Sequence, residues 1–287
     1  MPMAGLVAAV LSSLCWSGLD ATRKVMARRL SSVAVVVWLS VGQAPLFAGW
    51  AAVDGGWFAG PGYLAPGIGS LALQVVANLL FVRAVHVSPL SLSVPFLSLT
   101  PVFTTLVAIP MLGEHATAVQ WLGIAAVVAG ALLLNATRGQ SLLGALLRER
   151  GSVLMILVAA IWSVTAALDK LALRHASVPA HAMVQTAGVA VLLLAWLAAT
   201  GRLASLRSMW PADRPQAAAI LFAAGALGLQ LLAFRVLMVG LVETLKRAVG
   251  VVASVAIGRA AFAEPLTGPK LAAVVLMTVG SALVTWP

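Results

Sequence analysis

Long apolar runs, each cut off by a short polar gap, fill the chain from end to end. Ten such runs fall at residues 4–22, 32–52, 67–85, 90–112, 118–136, 152–168, 180–200, 216–236, 241–262 and 270–286. A membrane-crossing helix needs about 20 apolar residues. The runs have that length, and they lack the strict alternation of a strand, so the pattern predicts ten spanning helices. Turn chemistry marks the gaps. Asp54-Gly55-Gly56 and Pro61-Gly62 separate helices 2 and 3, and Pro211 and Pro215 bracket the start of helix 8. Residues 1–138 hold five helices and residues 152–287 hold five more. Residues 139–151, with Gly139-Gln140 and Arg148-Glu149-Arg150, form the linker between them.

The two halves echo each other. Trp16-Ser17 and Lys24 recur as Trp162-Ser163 and Lys170, each 146 residues later. Glu114, Thr117, Gly130 and Leu133 recur as Glu264, Thr267, Gly280 and Leu283, each 150 residues later. A duplicated apolar chain is a transporter signature. Five helices is an odd number, so the second half enters the membrane opposite to the first. The expected fold is therefore an all-α integral membrane protein of ten transmembrane helices, built as two inverted five-helix repeats. Such folds hold a site near the bilayer midplane between the halves and alternate access by rocking.

Composition narrows the class. Apolar residues make up 62% of the chain and charged residues 9%, against about 25% charged in soluble domains. The runs are too many for a signal peptide, the first begins directly from Met1, and no room is left for a separate soluble domain. The net charge of +10 does not signal nucleic acid, because the basic residues sit mostly in the gaps without interleaved aromatics. Thirteen of the 18 Lys and Arg fall in gaps after odd-numbered helices. By the positive-inside rule those gaps face the cytoplasm and both termini lie outside. A single cysteine, Cys15, excludes a disulfide framework and a cysteine metal site, and it reads as a small core residue. The four histidines lack metal-ligand spacing, and there is no phosphate loop, dinucleotide fingerprint or nucleophile elbow. Neither an enzyme nor a cofactor or metal is expected.

Charges inside spanning helices cost about 2.5–3.5 kcal/mol each on insertion scales, so each is a functional candidate. Glu243, Lys246 and Arg247 lie three and four apart in helix 9 and share one face, where Glu243 can pair with either base. Lys246 and Arg247 could hold an anionic group, the arginine as a bidentate fork. They could instead form an internally neutralised or snorkelling cluster. Asp20 lies deep in helix 1. It is either a proton carrier or a salt-bridge partner of Arg23 or Lys24. Glu243 is the other proton-coupling candidate. Asp169 abuts Lys170 at a helix end and reads as an interfacial pair. Trp16 and Trp162 occupy matching places and could wall a central cavity or simply pack. Gln43, Asn78, Gln185 and Gln230 could bind substrate, Asn78 and Gln230 in particular, or glue helices together. Pro95 and Pro101 bend helix 4 and are hinge candidates. Glu114 and Glu264 read as helix-start caps.

These features resemble a known family. The Trp-Ser of each half is joined by ThrProValPheThrThrLeu at 100–106 and LeuGlyGlu at 112–114. The apolar run from Gly123 to AlaGlyAlaLeuLeuLeu at 129–134 and PheAlaGluPro at 262–265 complete the set. In order and spacing they are similar to ten-helix EamA-type members of the drug/metabolite transporter superfamily. That family keeps both termini in the cytoplasm, opposite to the charge count. The Lys246-Arg247 pair also resembles the dibasic motif in helix 9 of plastid phosphate translocators of the same superfamily, which implies contact with substrate phosphate. The resemblance implies a secondary transporter in a bacterial inner (plasma) membrane. Its expected cargo is a small polar, anionic or zwitterionic metabolite. The alternatives are export of drugs or cationic compounds, or flipping of a phosphorylated lipid. The partners are a small-molecule substrate and the bilayer, not nucleic acid, and a monomer is expected.

Overall fold

The computed structural model describes residues 3–26, 30–55, 60–87, 94–136, 150–207, 214–262 and 267–286. Among them are ten long helices: α1 (Met3–Met26), α2 (Ser32–Asp54), α3 (Leu64–Val87), α4 (Thr100–Leu112), α5 (Ala118–Ala136), α6 (Arg150–Ala172), α7 (Val178–Ala199), α8 (Arg214–Val236), α9 (Val239–Phe262) and α10 (Gly268–Thr285). Six of these, α1, α2, α3, α6, α7 and α8, are long and apolar enough to cross a membrane. α4, α5 and α10 contribute shorter apolar stretches. α9 has 24 residues but carries Glu243, Lys246 and Arg247. The chain is thus an all-α, multi-pass membrane protein.

Local chemistry sets the helix ends. The Ser31 and Ser177 hydroxyls accept from the Ala34 and Ala180 N–H groups and start α2 and α7. Thr117 and Gln120 form a reciprocal capping box before α5, at 3.0 and 3.3 Å. Gly113, at φ 68°, ends α4 in the left-handed conformation. Arg150 and Gly151 belong to α6, so the second half starts inside the stretch read as linker, while residues 139–149 lie outside the described residues.

Helix 4 corrects the sequence reading. In place of one kinked helix over 90–112, a 3-10 stretch at Val94–Leu99 gives way to a 13-residue α-helix. Pro95 lies in the 3-10 stretch and Pro101 in the first turn of α4. In a first turn a missing N–H sacrifices no helical bond, so Pro101 begins a helix rather than bending one.

The halves interlock. α1 packs on α8, α3 on α6, α5 on α10, α2 on α7, α4 on α6 and α9, and α1 also on α9. Exchanging helices 1–5 with helices 6–10 maps this set of pairs onto itself. Two of the equivalent pairs, α5 with α10 and α4 with α9, run antiparallel. A Cβ on Gly123 of α5 would meet Gly280 and Val284 of α10, and one on Gly130 would meet Met277 and Ala273. In α4 and α9, Thr105 lies against Gly240 while Thr100 reaches Arg247. The crossing of α5 and α10 is backbone on backbone: a Cβ on Gly123 would sit 2.6 Å from the Gly280 carbonyl oxygen.

The turns between α2 and α3, α4 and α5, α6 and α7, and α8 and α9 gather at one end of the bundle. There the Gly60 N–H donates to the His175 carbonyl at 2.6 Å. Glu114, in the α4–α5 turn, binds Lys170 at the end of α6 at 2.6 Å and accepts from the Val239 N–H at the start of α9 at 2.9 Å. Glu114 is therefore a helix-start cap, but for α9 across the halves rather than for the helix that follows it. Glu264 lies outside the described residues.

Candidate functional site

Three helices bring a charged cluster together in the middle of the bundle. Arg247 lies eight residues into α9, about 12 Å along its axis. The Trp16 indole N–H of α1 donates to Gln230 Oε1 of α8 at 2.8 Å. Lys246 Nζ donates to the same oxygen at 3.4 Å and to Glu243 Oε1 at 2.5 Å. Lys246 also sits 5.5 Å from the Trp16 ring centroid, within cation–π range. Glu243 is 3% exposed. Of the two bases that could pair with it, Lys246 does.

Arg247 has different surroundings. Its Nη2 donates to the Thr100 hydroxyl at 3.4 Å. Its Nε is buried without a hydrogen-bond partner. Among the described residues Arg247 forms no ion pair within 4 Å. Asp20 bears electrostatically on both Lys246 and Arg247. Its anticipated partners Arg23 and Lys24 lie where side chains are not described. Thr100 is the first residue of α4, so the guanidinium faces the point where the 3-10 stretch passes into the α-helix. Irregular backbone at membrane depth is tolerated only where protein or a water-filled cavity covers it. Here Ser163 of α6 lies against it: its hydroxyl donates to the Ala159 carbonyl of its own helix at 2.7 Å, with the Thr100 carbonyl at 3.3 Å, and accepts from the Thr104 hydroxyl at 3.0 Å. Thr100 was not singled out in the sequence. The signal for it was Pro101 beside a threonine in the middle of an apolar run.

Other candidates lie elsewhere. Trp162 packs against Phe81 with ring centroids 5.9 Å apart, inside an apolar cluster with Met155, Val158 and Phe96. The matching tryptophans thus have unlike neighbours, an amide for Trp16 and a phenyl ring for Trp162. Asn78 donates to the Gln74 carbonyl of its own helix at 2.8 Å, and Gln43 to that of Leu39 at 3.0 Å. Gln185 ties α7 to the Gly67 carbonyl at 2.9 Å. Of the three, only Gln185 joins two helices; Asn78 and Gln43 bond within their own.

The Asp169–Lys170 pair is not formed. Neighbouring residues on a helix point about 100° apart, and the two side chains part accordingly. Lys170 goes to Glu114 and to the Leu237 carbonyl. Asp169 goes to Ser70 and, at 3.1 Å, to His181.

Apolar helices long enough to cross a bilayer surround a buried ionic cluster, an arrangement also found in membrane transport proteins. A model of the EamA-like transporter family matches residues 3–136, the first five-helix half of the chain. Over 69 residues the chain is 42% identical to proteins of Yersinia pseudotuberculosis and Yersinia pestis described as probable 4-amino-4-deoxy-L-arabinose-phosphoundecaprenol flippase subunit ArnE. That match covers 23% of this chain and 60% of the relative's length. A crystal structure described only as that of a protein superposes over 99% of this chain and 98% of its own, with a TM-score of 0.79 and 18% identity, which is a likeness of fold.

Proposed function

We propose that the chain is a secondary transporter whose cargo carries an anionic group bound by Arg247. The observation behind this reading is the buried Nε of Arg247, left without a partner opposite the break in helix 4. A buried donor with no acceptor is costly, and a carboxylate or phosphate oxygen would fill the place with a charge-assisted bond. Lys246, already held by Glu243 and Gln230, would join the cargo by leaving Glu243. The symmetric pairing of antiparallel helices supports an inverted repeat, which would let the site open to either face in turn. Trp16 and Gln230 would line it, the 3-10 to α junction between Pro95 and Pro101 would flex, and Asp20 and Glu243 would serve as proton carriers within it. Trp162 and Asn78, engaged elsewhere, would line it only in another conformation. A bacterial inner membrane suits a relative of the Yersinia proteins.

A second reading is flipping of a phosphorylated lipid. An apolar groove runs between α2 and α8, lined by Leu46, Phe47, Trp50, Gly225, Gly228 and Leu232, and it could take a hydrocarbon tail. The description of the Yersinia relatives points the same way.

Titration of the purified chain with amino acids, organic acids and phosphate esters tests the cargo reading. An anionic ligand should bind, and Arg247→Ala should weaken it while Trp162→Phe leaves it unchanged. Binding that survives both Lys246→Ala and Arg247→Ala would overturn the site. A preference for polyprenyl phosphate over its free headgroup would favour the second reading.

A further inference from the structure

A second polar cluster lies at the end of the bundle where the four turns meet. His181, in the first turn of α7, has a side chain 0% exposed. Its Nδ1 is 2.9 Å from the Tyr63 hydroxyl and its Nε2 is 3.1 Å from Asp169 Oδ1. The Ser70 hydroxyl donates to the same carboxylate oxygen. Tyr63 and Ser70 belong to the first half of the chain, and Asp169 and His181 to the second. The cluster therefore joins the halves, as the bonds from Glu114 to Lys170 and Val239 do beside it.

Its protons can be counted. An ionised Asp169 has none to give, so Nε2 of a neutral His181 must be the donor to it. Nδ1 is then the acceptor, and the Tyr63 hydroxyl donates to it. Every polar atom in this chain of bonds is satisfied. With His181 neutral, Asp169, Glu114 and Lys170 sum to one negative charge. One added proton brings these four side chains to neutrality. On the imidazole that proton goes to Nδ1, whose lone pair the Tyr63 hydroxyl holds in the closed arrangement. Taking it up forms an imidazolium–carboxylate pair within the second half and turns the Tyr63 bond round: Nδ1–H now donates to the hydroxyl oxygen, and the hydroxyl hydrogen of Tyr63 in the first half loses its acceptor. A buried hydroxyl left without an acceptor disfavours the closed arrangement.

We propose that His181, with Asp169, is a proton-binding site whose occupation opens this end of the bundle. The ion it takes is a proton, and uptake by the open form shifts the closed–open balance by linkage. The inference rests on the transport reading for its purpose, since it supplies a coupling ion, but the cluster shares no residue with the cargo site. The facing titratable and charged groups are Tyr63 from the segment before α3 and Asp169 and Lys170 from α6, with Glu114 behind them from the α4–α5 turn. His175 packs over Gly62 at the rim. Arg174, Asp54 and Arg235 are exposed at the same end.

The experiment uses the full chain in lipid nanodiscs with Cys15→Ser. Ala108→Cys places a thiol that is 1% exposed behind the Glu114–Lys170 pair, on the wall of a small internal cavity. A charged maleimide reports its exposure, and rates are normalised at each pH to those of His115→Cys on the open turn. The normalised rate should rise from pH 8 to pH 5, by up to about tenfold per pH unit while one linked proton is taken up. His181→Gln and Asp169→Asn should flatten the profile. Tyr63→Phe, which keeps the ring, should raise the rate at pH 8 and reduce its rise in acid. A parent chain with no acid-dependent rise overturns the proposal, and so does a rise that persists in His181→Gln. Arg247→Ala separates the two readings: it should weaken anion binding at least tenfold and leave the acid response in place. An acid response in a chain that binds no anion would sink the cargo reading alone.

Discussion

Arg247 and Lys246 are adjacent in sequence yet differ in role. Lys246 is neutralised where it stands, whereas the guanidinium beside it keeps an idle nitrogen. Replacing Arg247 by alanine should therefore weaken an anionic cargo by about 1.5–3 kcal/mol, the value of a hydrogen bond to a charged group. That is about tenfold to more than a hundredfold in Kd by calorimetric titration. Glu243→Gln should act oppositely. It removes the carboxylate competing for Lys246, so affinity for the same anion should rise, and an unchanged Kd would mean that Lys246 stays away from cargo. Spacing along α9 was enough to place Glu243, Lys246 and Arg247 together, because three- and four-residue steps on a helix fix which side chains meet. Tyr63, Asp169 and His181 were not legible in this way. Their partners come from segments about a hundred residues apart in sequence or across a turn, and a histidine near a helix start carries no sign of what faces it.

The helices themselves were largely legible, because a run of about 20 apolar residues leaves few other options in lipid. The interruption in helix 4 was not. Its prolines signal a bend, but the choice between a kinked α-helix and a 3-10 lead-in depends on the hydroxyls of Thr100, Thr104 and Ser163 that hold the freed backbone. Glu114 shows how much one side chain can tie together at this scale. It caps α9 and holds the end of α6, so Glu114→Gln should lower stability by about 1–3 kcal/mol. A drop in Tm in a fluorescence-detected melt would register it, whereas an unshifted midpoint would show the bonds to be dispensable. At the crossing of α5 and α10, Gly123→Leu should prevent the helices from meeting, since even a Cβ would lie 2.6 Å from the opposite carbonyl. Loss of the monodisperse peak in size-exclusion chromatography is the expected outcome, and a normal peak and melt would refute that close packing.

Across the whole molecule, the duplication read from Trp16-Ser17 and Trp162-Ser163 corresponds to a set of helix pairs that is unchanged when the halves are exchanged. Sequence echoes predict such pairing because like segments bury like faces. They could not predict where the halves diverge. Around Trp16 the pairing of α1 with α8 delivers Gln230, and around Trp162 the pairing of α6 with α3 delivers Phe81. The difference rests on the partner helix, which no motif in either tryptophan's own segment records.

That divergence fixes a stoichiometry. Two equivalent indoles would offer two berths per chain, but a phenyl ring beside Trp162 provides no acceptor and no charge. Saturating a calorimetric titration should therefore give one bound solute per polypeptide, and the turnover counted from vesicles should never exceed one molecule for each cycle.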